Sequence, residues 1–283
     1  MLIPIDDGDF MSPEATLRLL WWMAGAGVFL FGLCIGSFLN VVIYRVPQKM
    51  SLLKPPSHCT NCQTRLGARD LIPVFSYLQL GGRCRTCKRP ISPRYMLVEL
   101  LTGALFFLCY WRMPNWMALL PALALTGVLI AAACIDAEHS IIPNGIVLFG
   151  AVAGALGSVL TGHPTPKDAL LGALCGGGPL FLIDVLTRLT LGKEGMGGGD
   201  VKLMAMAGLF LGMKPVLLAL VLGVMLGGLT GAALLITKKV KRGGYFPFGP
   251  FLTAGVFLSQ LFYSDIIRLY FVWNEGIIKA MVG

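Results

Sequence analysis

Trp116-Met-Ala-Leu-Leu-Pro-Ala-Leu-Ala-Leu-Thr-Gly-Val-Leu-Ile-Ala-Ala-Ala-Cys-Ile135 runs for twenty residues without a charge and then meets Asp136. As an α-helix, such a run crosses roughly 30 Å of hydrocarbon. Helices and closed barrels alone satisfy every backbone hydrogen bond in lipid. Comparable apolar windows cover residues 19–43, 96–111, 141–160, 169–191, 201–213, 215–237 and 247–263. The whole chain of 283 residues is 56% hydrophobic and 13% charged, where a soluble domain carries about 25% charged residues. The reading is an all-α polytopic membrane protein of about eight transmembrane helices. The window after Asp200 is the shortest and is interrupted by glycines, so it is expected to be a short or partly broken helix, and the tail from Asp265 is expected to lie along the membrane surface. The first window follows acids (Asp6, Asp7, Asp9, Glu14) and lacks an Ala-x-Ala cleavage signal, so it is expected to be retained as a span.

Ten basic residues and one acid, Asp70, fall between Arg45 and Tyr95, an excess as large as the net charge of +9 for the whole chain. Short basic loops stay cytoplasmic, so this loop is placed inside, together with Asp136–Asn144, Lys193–Asp200 and Lys238–Arg242. The organisation expected is an N-terminal segment and first span (1–46), a cytoplasmic zinc-knuckle domain (47–95) and a membrane core (96–283). Topology and anionic lipid account for the positive charge, so membrane lipid is expected as a partner and nucleic acid is not.

Cys59-Thr-Asn-Cys62 and Cys84-Arg-Thr-Cys87 form two Cys-x-x-Cys knuckles separated by twenty-one residues. Two residues between thiolates let one turn present both to a tetrahedral ion, and a reducing compartment disfavours disulfides. Zn2+ held by Cys59, Cys62, Cys84 and Cys87 has no open position, so its role is structural: it folds a loop too poor in apolar residues to build a core. His58 is expected to stand by. The other four cysteines sit singly in apolar windows as small hydrophobes.

Acids at membrane depth mark function or a paired contact, and the candidates are Glu99, Asp136, Asp184 and Asp200. Singly, Asp200 reads as a helix N-cap and Asp136 as the end of a span. Together they read differently, because Gly197-Gly-Gly199 before Asp200 leaves backbone amides unpaired, which is tolerated only beside a water-filled cavity or a substrate. Two carboxylates brought together share one proton, the chemistry of aspartic peptidases. Glu138 and Lys202 are candidates to tune that pair or to lie at the interface, Glu99 is expected to find a cationic partner, and Asp184 to pair with Arg188 four residues on.

The chain resembles the type IV prepilin peptidases, bifunctional membrane enzymes of type IV pilus and type II secretion systems. The resemblance rests on Gly36-Ser-Phe-Leu-Asn-Val-Val-Ile-Tyr-Arg-Val-Pro47, both knuckles, Pro93-Arg-Tyr95 with Val98-Glu99, Asp136 seven residues before Pro143, Lys193-Glu-Gly-Met-Gly-Gly-Gly-Asp200-Val-Lys202 and Pro247-Phe-Gly-Pro250. It implies a multi-pass protein of the bacterial inner membrane with Asp136 and Asp200 as catalytic pair at the cytoplasmic face. The implied substrates are prepilins and pseudopilins, cut after the leader's terminal glycine. It also implies methylation of the new amino terminus from S-adenosylmethionine, with the knuckle loop in the methyltransferase site, Gly82 matching a glycine associated with that activity, and a place in the methyl-donor pocket as the second reading of Glu99 after the helix contact. The alternatives are a peptidase without methylation, a proton-coupled transporter whose acids relay protons, and a noncatalytic scaffold. The oligomeric state and the particular pilin are not fixed by these residues.

Overall fold

A computed structural model describes residues 12–113, 115–192, 197–237 and 247–282. Its helices are α1 (Pro13–Arg45), α2 (Phe75–Gln79), α3 (Arg94–Arg112), α4 (Trp116–His139), α5 (Asn144–Thr161), α6 (Pro166–Leu191), α7 (Gly198–Leu211), α8 (Met213–Ile236) and α9 (Gly249–Val282). Helix boundaries follow from local chemistry. Ser12, Asn115 and Thr165 cap α1, α4 and α6 by accepting from backbone amides, and Pro143 sets the entry of α5.

Seven of these helices are long and apolar enough to cross a membrane. The eighth expected segment is helical but only fourteen residues long, which is about 21 Å. It survives because it is internal: α7 packs against α4, α5, α6, α8 and α9. The other interior helix is α4, which touches α1, α3, α5, α7 and α9. Of its most apolar window 67% is buried, against 17 to 39% for the other six spans. The two aspartates therefore sit on the two helices best screened from lipid. In the tail, α9 continues without a break past Asp265, which pairs with Arg112 on α3 while that guanidinium lies over the Phe262 ring.

Small residues set the helix spacing. Gly172 of α6 and Gly208 of α7 lie so close that a Cβ on either would enter the other's backbone, and a Cβ on Gly36 of α1 would lie 2.7 Å from the Glu99 Cα of α3. Close backbone approach is how helices gain contact in lipid, where burial of apolar surface gives no advantage.

The loop between α1 and α3 is a different kind of structure. From Pro47 to Pro93 only Gly82 and Cys84 are buried, so it has no apolar core. Two pins hold it to the bundle. The buried Arg45 at the end of α1 donates to the carbonyls of Ser51 (2.9 Å) and Pro55 (2.7 Å), and Glu99 of α3 accepts from the Val74 amide at 2.7 Å. Arg85 pairs with Asp70 at 2.8 Å, holding that carboxyl below its ordinary range and tying the second knuckle to the short turn at Ala68–Leu71.

Because backbone blocks the way at Gly208, Gly208→Ala is expected to lower the melting temperature of the detergent-solubilised protein by about 5 °C. Gly178→Ala, on the same helix as Gly172 but facing open space, is expected to leave it unchanged. Equal melting temperatures would contradict the packing described.

Candidate active site and metal centre

Asp136 lies one turn before the end of α4 and is 3% exposed. Its Oδ2 accepts a hydrogen bond at 2.9 Å from the backbone N–H of Gly249, the first residue of α9. A Cβ at position 249 would lie 2.7 Å from that same oxygen, so glycine is required if the amide is to reach the carboxylate. Asp136 is thus a buried acid with a fixed rotamer.

Asp200 is the third residue of α7. The cap is Gly197, no side chain caps the helix, and the Asp200 amide bonds the Gly197 carbonyl at 3.0 Å. The N-cap reading of Asp200 is therefore replaced by a buried acid in the first helical turn. Helix geometry leaves the amides of Gly198 and Gly199 without intrahelical acceptors, and the positive end of the helix dipole lies beside the acid.

Asp136 and Asp200 line one cavity of about 290 Å³, together with Gly197, Gly198, Gly199, Ser140 and Asn144. The separation of sixty-four positions is closed by the contacts of α7 with α4 and α5. Lys202 lines the same cavity and donates to the Asn144 side-chain oxygen at 3.0 Å. Residues 193–196 and 238–246 lie outside the described residues, and with them the first half of the glycine motif and the Lys238–Arg242 cluster.

The remaining acids separate from this pair. Glu138, two positions after Asp136, pairs with Arg94 of α3 and lines a second, larger cavity of about 1180 Å³. Glu99 lines that second cavity too; its bonds to the Val74 amide and the Ser37 hydroxyl replace the cationic partner expected. Asp184 pairs with Arg188 at 2.9 Å as the i, i+4 spacing predicts.

The four knuckle thiols converge. Their sulfurs all lie within 4.8 Å of one another, with Cys59–Cys87 and Cys62–Cys84 each at 3.9 Å. Tetrahedral zinc at a Zn–S distance of about 2.3 Å needs sulfurs about 3.8 Å apart, so this donor set fits the ion. Each knuckle is closed the same way: the first cysteine's amide bonds the carbonyl of Thr64 or Arg89, and a backbone bridge joins His58 to Arg65 or Arg83 to Pro90. Gln63 and Lys88, each following the second cysteine, hold left-handed φ of 57° and 58°. The Thr64 hydroxyl and amide lower the Cys62 thiol to about 6, and the Cys87 and Thr86 amides lower Cys84. Turns that stabilise thiolates are ready to bind metal. His58 bonds the Pro56 carbonyl and stays outside the sulfur set, as expected.

Gly82 is buried in the turn before the second knuckle with φ +67°, and a Cβ there would lie 2.9 Å from the Tyr77 hydroxyl. Tyr77 lines the larger cavity and Gly82 does not. The glycine thus shapes that wall through Tyr77. Neither the Gly249 contact nor the larger cavity was found by sequence reasoning. The Pro247–Pro250 motif pointed to the first, but spacing alone does not show which acid it meets.

Comparisons with known proteins agree along most of the chain. Residues 30–113 match the bacterial peptidase A24 N-terminal domain, and residues 123–232 the type IV leader peptidase family. Proteins named prepilin leader peptidase/N-methyltransferase are similar to it. That of Aeromonas hydrophila is 36% identical over 88% of this chain and 94% of its own length. The one from Neisseria gonorrhoeae is 38% identical over 78% and 85%, and that of Pseudomonas aeruginosa 35% over 85% and 91%. No solved structure matches significantly.

The sulfur geometry predicts one zinc per chain in elemental analysis of the purified protein, falling well below one in Cys84→Ser. Unchanged zinc in that variant would contradict the four-thiolate site.

Proposed function

The chain belongs to the type IV leader peptidase family, and from that membership we propose that Asp136 and Asp200 form its hydrolytic pair. The protein is a multi-pass membrane enzyme that cleaves prepilin leaders and N-methylates the product. The observation that carries the assignment is that the two acids share one small cavity at the ends of the two best-screened helices.

In this reading one carboxylate is ionised and the other protonated. Water between them loses a proton to the ionised group as its oxygen attacks the scissile carbonyl, while the protonated partner donates to the carbonyl oxygen. The amides of Gly198 and Gly199 stand where a helix N-terminus stabilises the developing negative charge. As the C–N bond breaks, the nitrogen takes a proton from the pair and leaves as a neutral amine. Gly249 keeps the Asp136 carboxylate in place throughout, and Lys202 with Asn144 forms a polar rim.

The substrates proposed are prepilins and pseudopilins, cut after the leader's terminal glycine and just before their apolar helix. Cleavage at the cytoplasmic face of the bacterial inner membrane is supported by the positive charge of the knuckle loop, which lies at the same end of the bundle as both acids. Zinc on Cys59, Cys62, Cys84 and Cys87 supplies structure, since four thiolates close its coordination shell. It does for residues 47–95 what an apolar core does elsewhere. S-adenosylmethionine supplies the methyl group, and Gly82 supports that activity indirectly by seating Tyr77. The transporter and scaffold readings account for neither the family match nor the shared cavity.

Asp136→Asn and Asp200→Asn are each expected to lower prepilin cleavage by at least about 10⁴-fold with zinc content unchanged. Intact mass of a co-expressed prepilin reads the result, and full leader loss with either variant would overturn the pair. Gly249→Ala is expected to cost about 10²-fold, because a misplaced carboxylate forfeits orientation.

A further inference from the structure

The short helix α2 has two unlike sides. Ser76 and Tyr77, with Leu80 just after the helix, point inward and line the larger cavity. Phe75 and Leu78, three positions apart on the other side, do not line it and are 58% and 63% exposed. Two large apolar side chains thus face away from the protein in a loop that has no apolar core to receive them.

Glu99 fixes how deep this apolar side lies. Its carboxylate accepts from the amide of Val74, the residue immediately before α2. Glu99 stands against Gly36 of α1, where an added Cβ would meet the Glu99 Cα. Gly36 lies nine residues, about 13.5 Å of helix, before Arg45, and α1 carries no charge between Arg18 and Arg45. The start of α2 is therefore drawn down beside an uncharged stretch of α1 and the second turn of α3. Phe38 and Leu97, on the same turns of α1 and α3, are also more than half exposed, as residues that face lipid are.

Charge points the same way. Residues 47–93 hold eight basic side chains against one acid, Asp70, which Arg85 engages. Arg69 and Arg83, one on each side of α2 in the sequence, are both exposed. An apolar helix side bordered by cations is the pattern of a segment lying in the plane of an anionic membrane surface.

We propose that α2 is an in-plane membrane anchor, with Phe75 and Leu78 seated at the boundary between anionic headgroups and acyl chains and Arg69 and Arg83 on the headgroups. Its occupant is the bilayer that already surrounds the bundle. An apolar substrate helix or a second copy of the chain would also cover Phe75 and Leu78, but neither calls for the positive charge around them. The knuckle loop is then held at three points: the Arg45 guanidinium, the Glu99 carboxylate and the lipid surface. Because Tyr77 stands on the opposite side of the same turn, lipid contact at Phe75 and Leu78 sets where that wall of the larger cavity stands.

The test uses the full-length, zinc-loaded enzyme in native membranes with a co-expressed prepilin. The photoreactive residue p-benzoylphenylalanine is installed at position 75, at position 78 or, for comparison, at position 65 in the first knuckle. After irradiation, mass spectrometry is expected to find phospholipid as the main adduct at 75 and 78 and little at 65. With the probe at 78, Phe75→Glu is expected to lower the phospholipid adduct roughly tenfold with zinc content unchanged, since interfacial binding scales with the apolar area buried. Adducts at 75 and 78 mainly to prepilin or to a second copy, equal lipid adducts at all three positions, or an undiminished adduct in zinc-loaded Phe75→Glu would each overturn the anchor.

Discussion

Two carboxylates inside a membrane bundle must be screened from lipid on every side, and the architecture follows from meeting that demand. Asp136 and Asp200 stand on α4 and α7, which the other helices enclose. Enclosure is what allows α7 to be too short to span alone, and it requires neighbours to approach closely, which Gly172 and Gly208 permit. A charged group in hydrocarbon costs several kcal/mol, so the packing glycines and the acids form one arrangement. The Gly249 amide completes it by giving the Asp136 carboxylate a hydrogen bond that lipid could not.

The end that carries the knuckle loop obeys a different constraint. Between α1 and α3 no apolar side chain but that of Cys84 is buried, so the order of the loop rests on four converging thiols, the Arg45 guanidinium on backbone carbonyls and the Glu99 carboxylate on a backbone amide. These pins belong to α1 and α3, which places the loop over the bundle and forms the larger cavity there. Glu138 and His139 line the larger cavity and Asp136 and Ser140 the smaller one, so the two cavities lie on opposite sides of one helix turn.

Much of this is legible in the residues. The apolar windows give the helices, alternation with the basic loop places the ends together, and Cys-x-x-Cys spacing gives the sulfur cluster, because each is a local pattern with a fixed period. The glycine run before Asp200 correctly signalled a cavity, while the N-cap that Asp200 taken singly suggests is filled instead by Gly197. Partners distant in sequence were not legible. That Asp136 meets Gly249 depends on how α4 and α9 cross, and that Glu99 bonds a backbone amide depends on the path of a loop without periodicity. Gly82 stood out by resemblance, but its contact with Tyr77 needed the turn itself. The continuation of α9 past Asp265 was obscured because falling hydropathy reads as the end of a span, while the Arg112 pair holds the helix.

The central claim is that Asp136 and Asp200 face each other across one small cavity. Cysteines at both positions, in a chain whose membrane cysteines are replaced and whose zinc site is intact, test it through a short bifunctional thiol reagent applied to native membranes. The account predicts efficient cross-linking of α4 to α7 in the double variant and none in either single variant. A zinc-loaded double variant whose two cysteines both react yet never join would contradict it.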